Sequence, residues 1–88
     1  MSEPPEARLK RLTMRSWRRG TKEMDLILGP FADKTLAQMS DTELREYDAL
    51  LSENDQDLYQ WVTGQAAAPE RFSALIARIA ASSVSSAG

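Results

Sequence analysis

Apolar residues in this chain recur three and four positions apart in five short bursts, and no segment shows the alternation that a half-buried strand needs. Leu9, Leu12 and Ser16, with Trp17 alongside, make the first and narrowest stripe. Met24, Ile27, Leu28 and Phe31 make the second, and Leu44, Tyr47, Leu50 and Leu51 the third. Leu58, Trp61 and Val62 form the fourth. Phe72, Leu75, Ile76, Ile79 and Ala80 form the fifth, which is the most regular. Short helices with one apolar stripe each can hide those stripes only by packing together. The expected fold is therefore all-α, a compact single-domain bundle of about five short helices.

Punctuation between the stripes supports this division. Pro4-Pro5 closes a mobile leader over residues 1–5, the helical domain spans 6–81, and the small, polar tail 82–88 is expected to fray. A first helix runs from about Glu6 toward Arg18, and Gly20 interrupts the pattern. Glu23 and Asp25 suit the first turn of the second helix, at the positive end of its dipole. Gly29-Pro30 is awkward there, because an interior proline costs about 3 kcal/mol. Local rules stop this helix near Leu28, while the spacing of Phe31, Thr35 and Met39 allows a kinked continuation to about Lys34. Ser40-Asp41-Thr42-Glu43 is a capping box, and Asn54 reads as the next N-cap. Gly64 fits a C-terminal cap with positive φ, and Pro69 the first turn of the last helix.

Composition narrows the chemistry. The 88 residues include no cysteine and no histidine. Disulfides, the commonest nucleophile–base pairs and the commonest transition-metal ligands are thereby removed. An enzyme built from carboxylates is the poorer reading, since no paired acids converge in a pocket-forming pattern. Glu53-Asn54-Asp55-Gln56-Asp57 resembles a calcium loop but lacks its glycine at the sixth position and its glutamate at the twelfth, so helix capping explains it better. No apolar run approaches the roughly 20 residues of a membrane helix. The arginines near the start suit a mitochondrial presequence, but Glu3, Glu6 and Pro4-Pro5 oppose it. A bacterial cytoplasm is the expected location, ahead of the mitochondrial matrix. Trp61, Phe72, Met14, Met24 and Met39 are expected to pack the interior. Trp17 is expected there too, with an interface role second.

The net charge of −2 is unevenly spread. Seven of the eleven basic residues lie between Arg8 and Lys22 with no acid among them, and seven of the thirteen acids lie between Asp41 and Asp57. Arg8, Arg11, Arg15 and Arg18 share helical spacing and form a basic ridge. Such a ridge is most often a solvated face and next most often a partner's electrostatic footprint. Nucleic acid competes for it, giving the alternative of a small nucleic-acid-associated or antitoxin-like regulator. A pI near 5.0 and the acidic middle oppose that alternative, and no nucleic acid or membrane partner is expected.

The sharpest local feature is Arg19-Gly20-Thr21-Lys22-Glu23 at a helix boundary. Gly20 alone reads as a turn residue with a permissive backbone. Without a side chain it also lets a partner's backbone approach, with Arg19 and Glu23 as polar anchors on either side. Were Gly20 simply a glycine inside a helix, alanine there would stabilise by about 0.5–1 kcal/mol.

With Met24-Asp25, Pro30-Phe31, the Met39-Ser40-Asp41-Thr42-Glu43 cap and Asp55-Gln56-Asp57-Leu58-Tyr59-Gln60-Trp61, this motif resembles the succinate dehydrogenase assembly factor 2 family, the FAD assembly factors. The likeness covers roughly residues 8–80. Tyr59 departs from the phenylalanine often found there. The resemblance implies a five-helix bundle that binds the flavoprotein subunit of succinate dehydrogenase, with that of fumarate reductase as a further candidate client. It further implies that such a protein promotes the bond between a histidine of that subunit and FAD without doing chemistry itself. On this basis the contact set is Arg19, Gly20 and Glu23, joined by Arg8, Arg11 and Arg15. No cofactor is expected to be held stably by this chain, the FAD belonging to the partner, and no metal.

Overall fold

Pro5 opens the first helix, where its missing N–H costs nothing, and Pro4 provides the carbonyl that the Arg8 N–H reaches at 3.0 Å. In the computed structural model, which describes residues 3–87 and side chains to residue 82, the elements are α1 (Pro5–Ser16), α2 (Lys22–Thr35), a 3₁₀ turn (Leu36–Gln38), α3 (Asp41–Leu50), α4 (Asp55–Val62) and α5 (Glu70–Ala87). The five helices are those the apolar stripes marked, and no strand occurs among the described residues. Of the expected leader and tail, Met1, Ser2 and Gly88 lie outside the described residues. Helix α1 begins one residue earlier than the sequence placed it, and α5 remains helical past Ser82 to Ala87.

The caps are largely those expected. The Ser40 hydroxyl accepts from the Glu43 N–H and the Glu43 carboxylate from the Ser40 N–H, completing the capping box. The Asn54 side chain accepts from the Gln56 N–H at 2.8 Å, and Gly64 adopts φ 81° behind α4. Thr21, which the sequence reading passed over, caps α2 by accepting from the Met24 N–H.

Helix α2 runs unbroken through Gly29-Pro30 to Thr35. Stopping at Leu28 would release Phe31, Ala32 and Leu36 from the core, where each is almost fully buried. Burying a large apolar side chain contributes about 1.5–3 kcal/mol, so two of them offset the roughly 3 kcal/mol that the proline costs. Tertiary packing wins over the local rule. Gly29 has its own reason: a Cβ there would collide with the Trp17 ring, which lies against α2. Trp17 remains 40% exposed, with its indole N–H on the Asp33 carboxylate, and so is not the core residue expected. Met14 is exposed as well, while Met24 and Met39 are buried.

α2 is the central element, packing on α1, α4 and α5. Its buried face meets Leu12, Tyr47, Leu50, Leu58, Phe72 and Ile79 in one core. Phe31 and Tyr47 stack at a tilt with centroids 5.8 Å apart, and Trp61, only partly buried, leans on Phe72 at 6.3 Å. Tyr47 is fully buried, yet its hydroxyl lies 2.5 Å from Ser16 Oγ. Ser16 gives its one proton to the Leu12 carbonyl at 2.8 Å, so Tyr47 is the donor to Ser16. This explains a fully buried serine in an apolar stripe. Burial pushes the Tyr47 phenol up to about 12, so it stays protonated as this donor.

The chain Tyr47–Ser16–Leu12 makes an asymmetric prediction. Ser16→Ala strands a buried hydroxyl, at a cost of about 1–3 kcal/mol, whereas Tyr47→Phe removes the donor and costs about 0.5–1.5 kcal/mol. Adding Tyr47→Phe to Ser16→Ala is therefore expected to recover stability in urea denaturation. A double variant less stable than Ser16→Ala alone would show the assignment of donor and acceptor to be wrong.

Candidate functional site

The α1–α2 turn is built by two acids from elsewhere in the chain. Asp25, in the first turn of α2, accepts the Arg19 backbone N–H at 2.6 Å. Asp55, the first residue of α4, accepts the Gly20 N–H on one oxygen at 2.5 Å and the Arg19 Nε–H on the other at 2.6 Å. The remaining arms of the Arg19 guanidinium donate to the carbonyls of Leu51 at 2.7 Å and Glu53 at 2.9 Å, where α3 ends. One arginine thus satisfies orphan carbonyls behind α3 and pairs with an acid at the positive end of α4. A planar guanidinium can serve these acceptors together; a lysine cannot. The pair is largely buried, with side-chain exposures of 11% for Arg19 and 17% for Asp55.

This geometry corrects the part given to Arg19. Its charged end is spent inside the molecule, so it is an internal staple rather than an exposed anchor. The part given to Gly20 changes too. Its φ is not positive, so a permissive backbone is not the requirement. A Cβ at Gly20 would stand 2.9 Å from Asp55 Oδ2, and the carboxylate there is fixed by two hydrogen bonds. The close approach Gly20 allows is that of Asp55. The corner nonetheless faces outward: Gly20 and Glu23 are exposed, and Glu23 makes no side-chain hydrogen bond or ion pair among the described residues. Beside them lies an open cleft of about 520 Å³ lined by Thr21, Glu23, Asp55, Gln56 and Tyr59.

The basic ridge is also spent internally. Arg8 pairs with Asp41 at 2.8 Å. Arg11 and Arg15 both hold Asp48, at 3.1 and 2.6 Å, and Arg11 also holds Glu3. These contacts tie α1 to α3, so the basic third and the acidic middle neutralise each other within the fold. The structure does not join Arg8, Arg11 and Arg15 to the Gly20 corner as one free cationic patch. Arg18 alone of the ridge has no carboxylate partner among the described residues. Hydrogen bonds from Arg11 and then Arg15 hold the Asp48 carboxyl below its usual range, against a partial desolvation. Of the acids suspected of forming a calcium loop, Asp55 is engaged by Arg19. No group of three or more metal-type ligands forms among the described residues.

Fold and site together define a small helical protein that presents a stapled, outward-facing corner. A family model described as "Flavinator of succinate dehydrogenase" matches residues 10–83, and the chain belongs to that family, one of assembly factors and not of enzymes. Among curated relatives, one from Mycosarcoma maydis is 42% identical over 71 residues, covering 81% of this chain and 30% of the relative. One from Saccharomyces cerevisiae (strain ATCC 204508 / S288c) is 47% identical over 62 residues, covering 70% and 38%. One from Aspergillus terreus is 50% identical over 56 residues, covering 64% and 19%. All three are named "Succinate dehydrogenase assembly factor 2, mitochondrial". This chain therefore spans well under half the length of the curated relatives it matches. Their mitochondrial naming overturns the expected bacterial cytoplasm. No described helix is long and apolar enough to cross a membrane.

Two predictions follow from the staple and the clamp on Asp48. Gly20→Ala, which a helix-interior view would make stabilising, is expected to lose about 1–3 kcal/mol by crowding Asp55. Removing the Asp55 side chain as well should make the alanine nearly neutral, a coupling that a double-mutant cycle in urea measures. Because the native Asp48 carboxyl titrates below its unfolded value, its stabilisation is complete above that unfolded value and disappears as pH falls through the native one. Asp48→Asn should therefore be less stable than wild type near neutrality and flatten the acid limb of the stability curve. An unchanged acid limb would show that the clamp contributes nothing.

Proposed function

We propose that this chain docks on the flavoprotein subunit of succinate dehydrogenase and promotes covalent attachment of FAD to a histidine of that subunit. The bond is made by the client. This chain holds the client in the conformation in which its histidine and flavin meet, so its contribution is positional. FAD belongs to the client, and no cofactor is held stably here. The flavoprotein of fumarate reductase is a further candidate client under the same reading.

The observation that carries this is the rigid, open corner at Gly20 and Glu23. Arg19, Asp25 and Asp55 fix its backbone by hydrogen bonds of 2.5–2.6 Å, and Glu23 is exposed with no partner among the described residues. A surface held this firmly loses little conformational entropy when a partner docks. The residues that hold it are not the ones that would touch the client. A chain without histidine or cysteine suits a role that needs no nucleophile of its own.

Gly20→Arg is a poor test, because it also evicts Asp55. Glu23→Ala separates contact from fold, since the Glu23 side chain makes no hydrogen bond or ion pair among the described residues and favours α2 only through its charge in the first turn. In cells lacking their own flavinylation factor, wild type should restore covalent flavin, read as fluorescence of the denatured flavoprotein band. Glu23→Ala should restore about a tenth or less while losing no more than about 1 kcal/mol of stability. Full restoration by the variant would remove the corner from the contact surface.

A further inference from the structure

Ion pairing consumes the acids of α3 and spares those around the Gly20 corner. Asp41, Glu43, Glu46 and Asp48 each hold an arginine, as do Glu3 and Asp55. The other seven of the thirteen acids hold no cation among the described residues. Four of those seven, Glu23, Asp25, Glu53 and Asp57, lie in two short segments, 19–25 and 53–59, which the bonds from Arg19 and Gly20 to Asp55 hold side by side. The cations in the same segments are Arg19, already engaged with Asp55 and two carbonyls, and Lys22.

The open cleft of about 520 Å³ beside the corner lies between these segments. Its lining of Thr21, Glu23, Asp55, Gln56 and Tyr59 contains no cation. Lys22 is not part of it, and Arg18 lines a separate depression along α1. Gln56 and Asp55 stand three and four positions before Tyr59 on α4, so the three share one side of that helix. Tyr59 is 37% exposed. The Thr21 hydroxyl is used by the α2 cap, whereas the Glu23 carboxylate, the Gln56 amide and the Tyr59 hydroxyl bond to no other described residue. An acid from α2 and an amide and an aromatic ring from α4 thus border one open space without partners.

We infer that this cleft receives a basic side chain of the client, with Glu23 as its acid and the Tyr59 ring as its platform, so that α4 shares the contact with α2. The inference rests on the client reading above and deepens it. A guanidinium suits the site best, because its plane can lie on an aromatic ring while its edge donates to a carboxylate. The fold already contains one such arrangement: the Arg71 guanidinium lies 4.8 Å from the Phe72 ring centre, with its Nε 3.4 Å from Glu46. An acidic occupant is opposed by the charges at hand. The positive ends of α2 and α4 lie here, each equivalent to about half a charge, but Glu23, Asp25, Asp55 and Asp57 occupy those first turns and outweigh them. A purely apolar side chain would cover the Glu23 carboxylate without giving it a partner.

The test is binding of the full chain to purified flavoprotein subunit before flavin attachment, by calorimetry at low and high salt, with Gln56→Glu, Gln56→Lys, Tyr59→Leu and Tyr59→Phe. Gln56 is exposed and its side chain joins no internal bond, so its two variants report the sign of the charge that enters the cleft. Gln56→Glu should bind about threefold more tightly and Gln56→Lys about tenfold or more weakly, both effects shrinking as salt rises. Tyr59→Leu, which keeps apolar bulk, should bind about fivefold or more weakly, and Tyr59→Phe should stay within about twofold. If Gln56→Glu weakens binding and Gln56→Lys tightens it, the occupant is anionic and this inference is overturned. If both Gln56 variants, or Tyr59→Leu, bind like wild type while Glu23→Ala is weakened, the corner docks without this cleft and the inference is wrong, with the client reading intact. If wild type does not bind the flavoprotein, both fall. A wild-type dimer in sedimentation that Gln56→Lys dissolves, with client binding unmoved, would overturn it in favour of self-association.

Discussion

Arg19 reaches from the turn between α1 and α2 to the turn between α3 and α4, and its guanidinium joins Asp55 and two carbonyls there. Both turns depend on this contact. Without it the part-buried carbonyls of Leu51 and Glu53, just beyond α3, would lose this donor, and Asp55 would have no cation to balance its burial. Because the same Asp55 also receives the Gly20 N–H, the position of the outward corner is fixed by an interaction beneath it. The arginine and glycine of the motif are thus structural, while the glutamate three residues on is exposed and unpaired among the described residues.

The charge pattern follows the same division. Opposite-sign halves of a sequence invite an account in terms of partners, yet here α1 and α3 bring them together, with Asp48 between Arg11 and Arg15 and Asp41 beside Arg8. Exposed ion pairs of this kind contribute at most about 1 kcal/mol each, but several on one helix pair fix its register against the neighbour. Internal pairing also changes what is presented outward. Lys10, Arg18, Lys22 and Lys34 remain without a carboxylate partner among the described residues, fewer free cations than the count of basic residues suggests.

A membership in a family of assembly factors accords with a molecule whose specific features are about holding a surface still. The buried Tyr47–Ser16–Leu12 chain locks α1 to α3 at one end, and the Arg19 staple locks the turns at the other. Between them α2 forms the spine, continuous through Pro30 because both sides of the proline are in the core.

The sequence by itself determined the five helices, the Ser40 and Asn54 caps, the turn at Gly64 and most of the core, because each depends on residues within about one helical turn of one another. It also marked the Arg19–Glu23 segment and excluded histidine and cysteine chemistry. Only the tertiary structure decided what that segment's residues do. Arg19 and Asp55 are 36 positions apart, Arg15 and Asp48 are 33, and Trp17 and Gly29 meet across a turn, distances over which no periodicity carries information. Packing likewise overrode the local penalty at Pro30 and left Trp17 and Met14 at the surface. Which charges are consumed, and which remain unpaired, is fixed only when the helices are brought together.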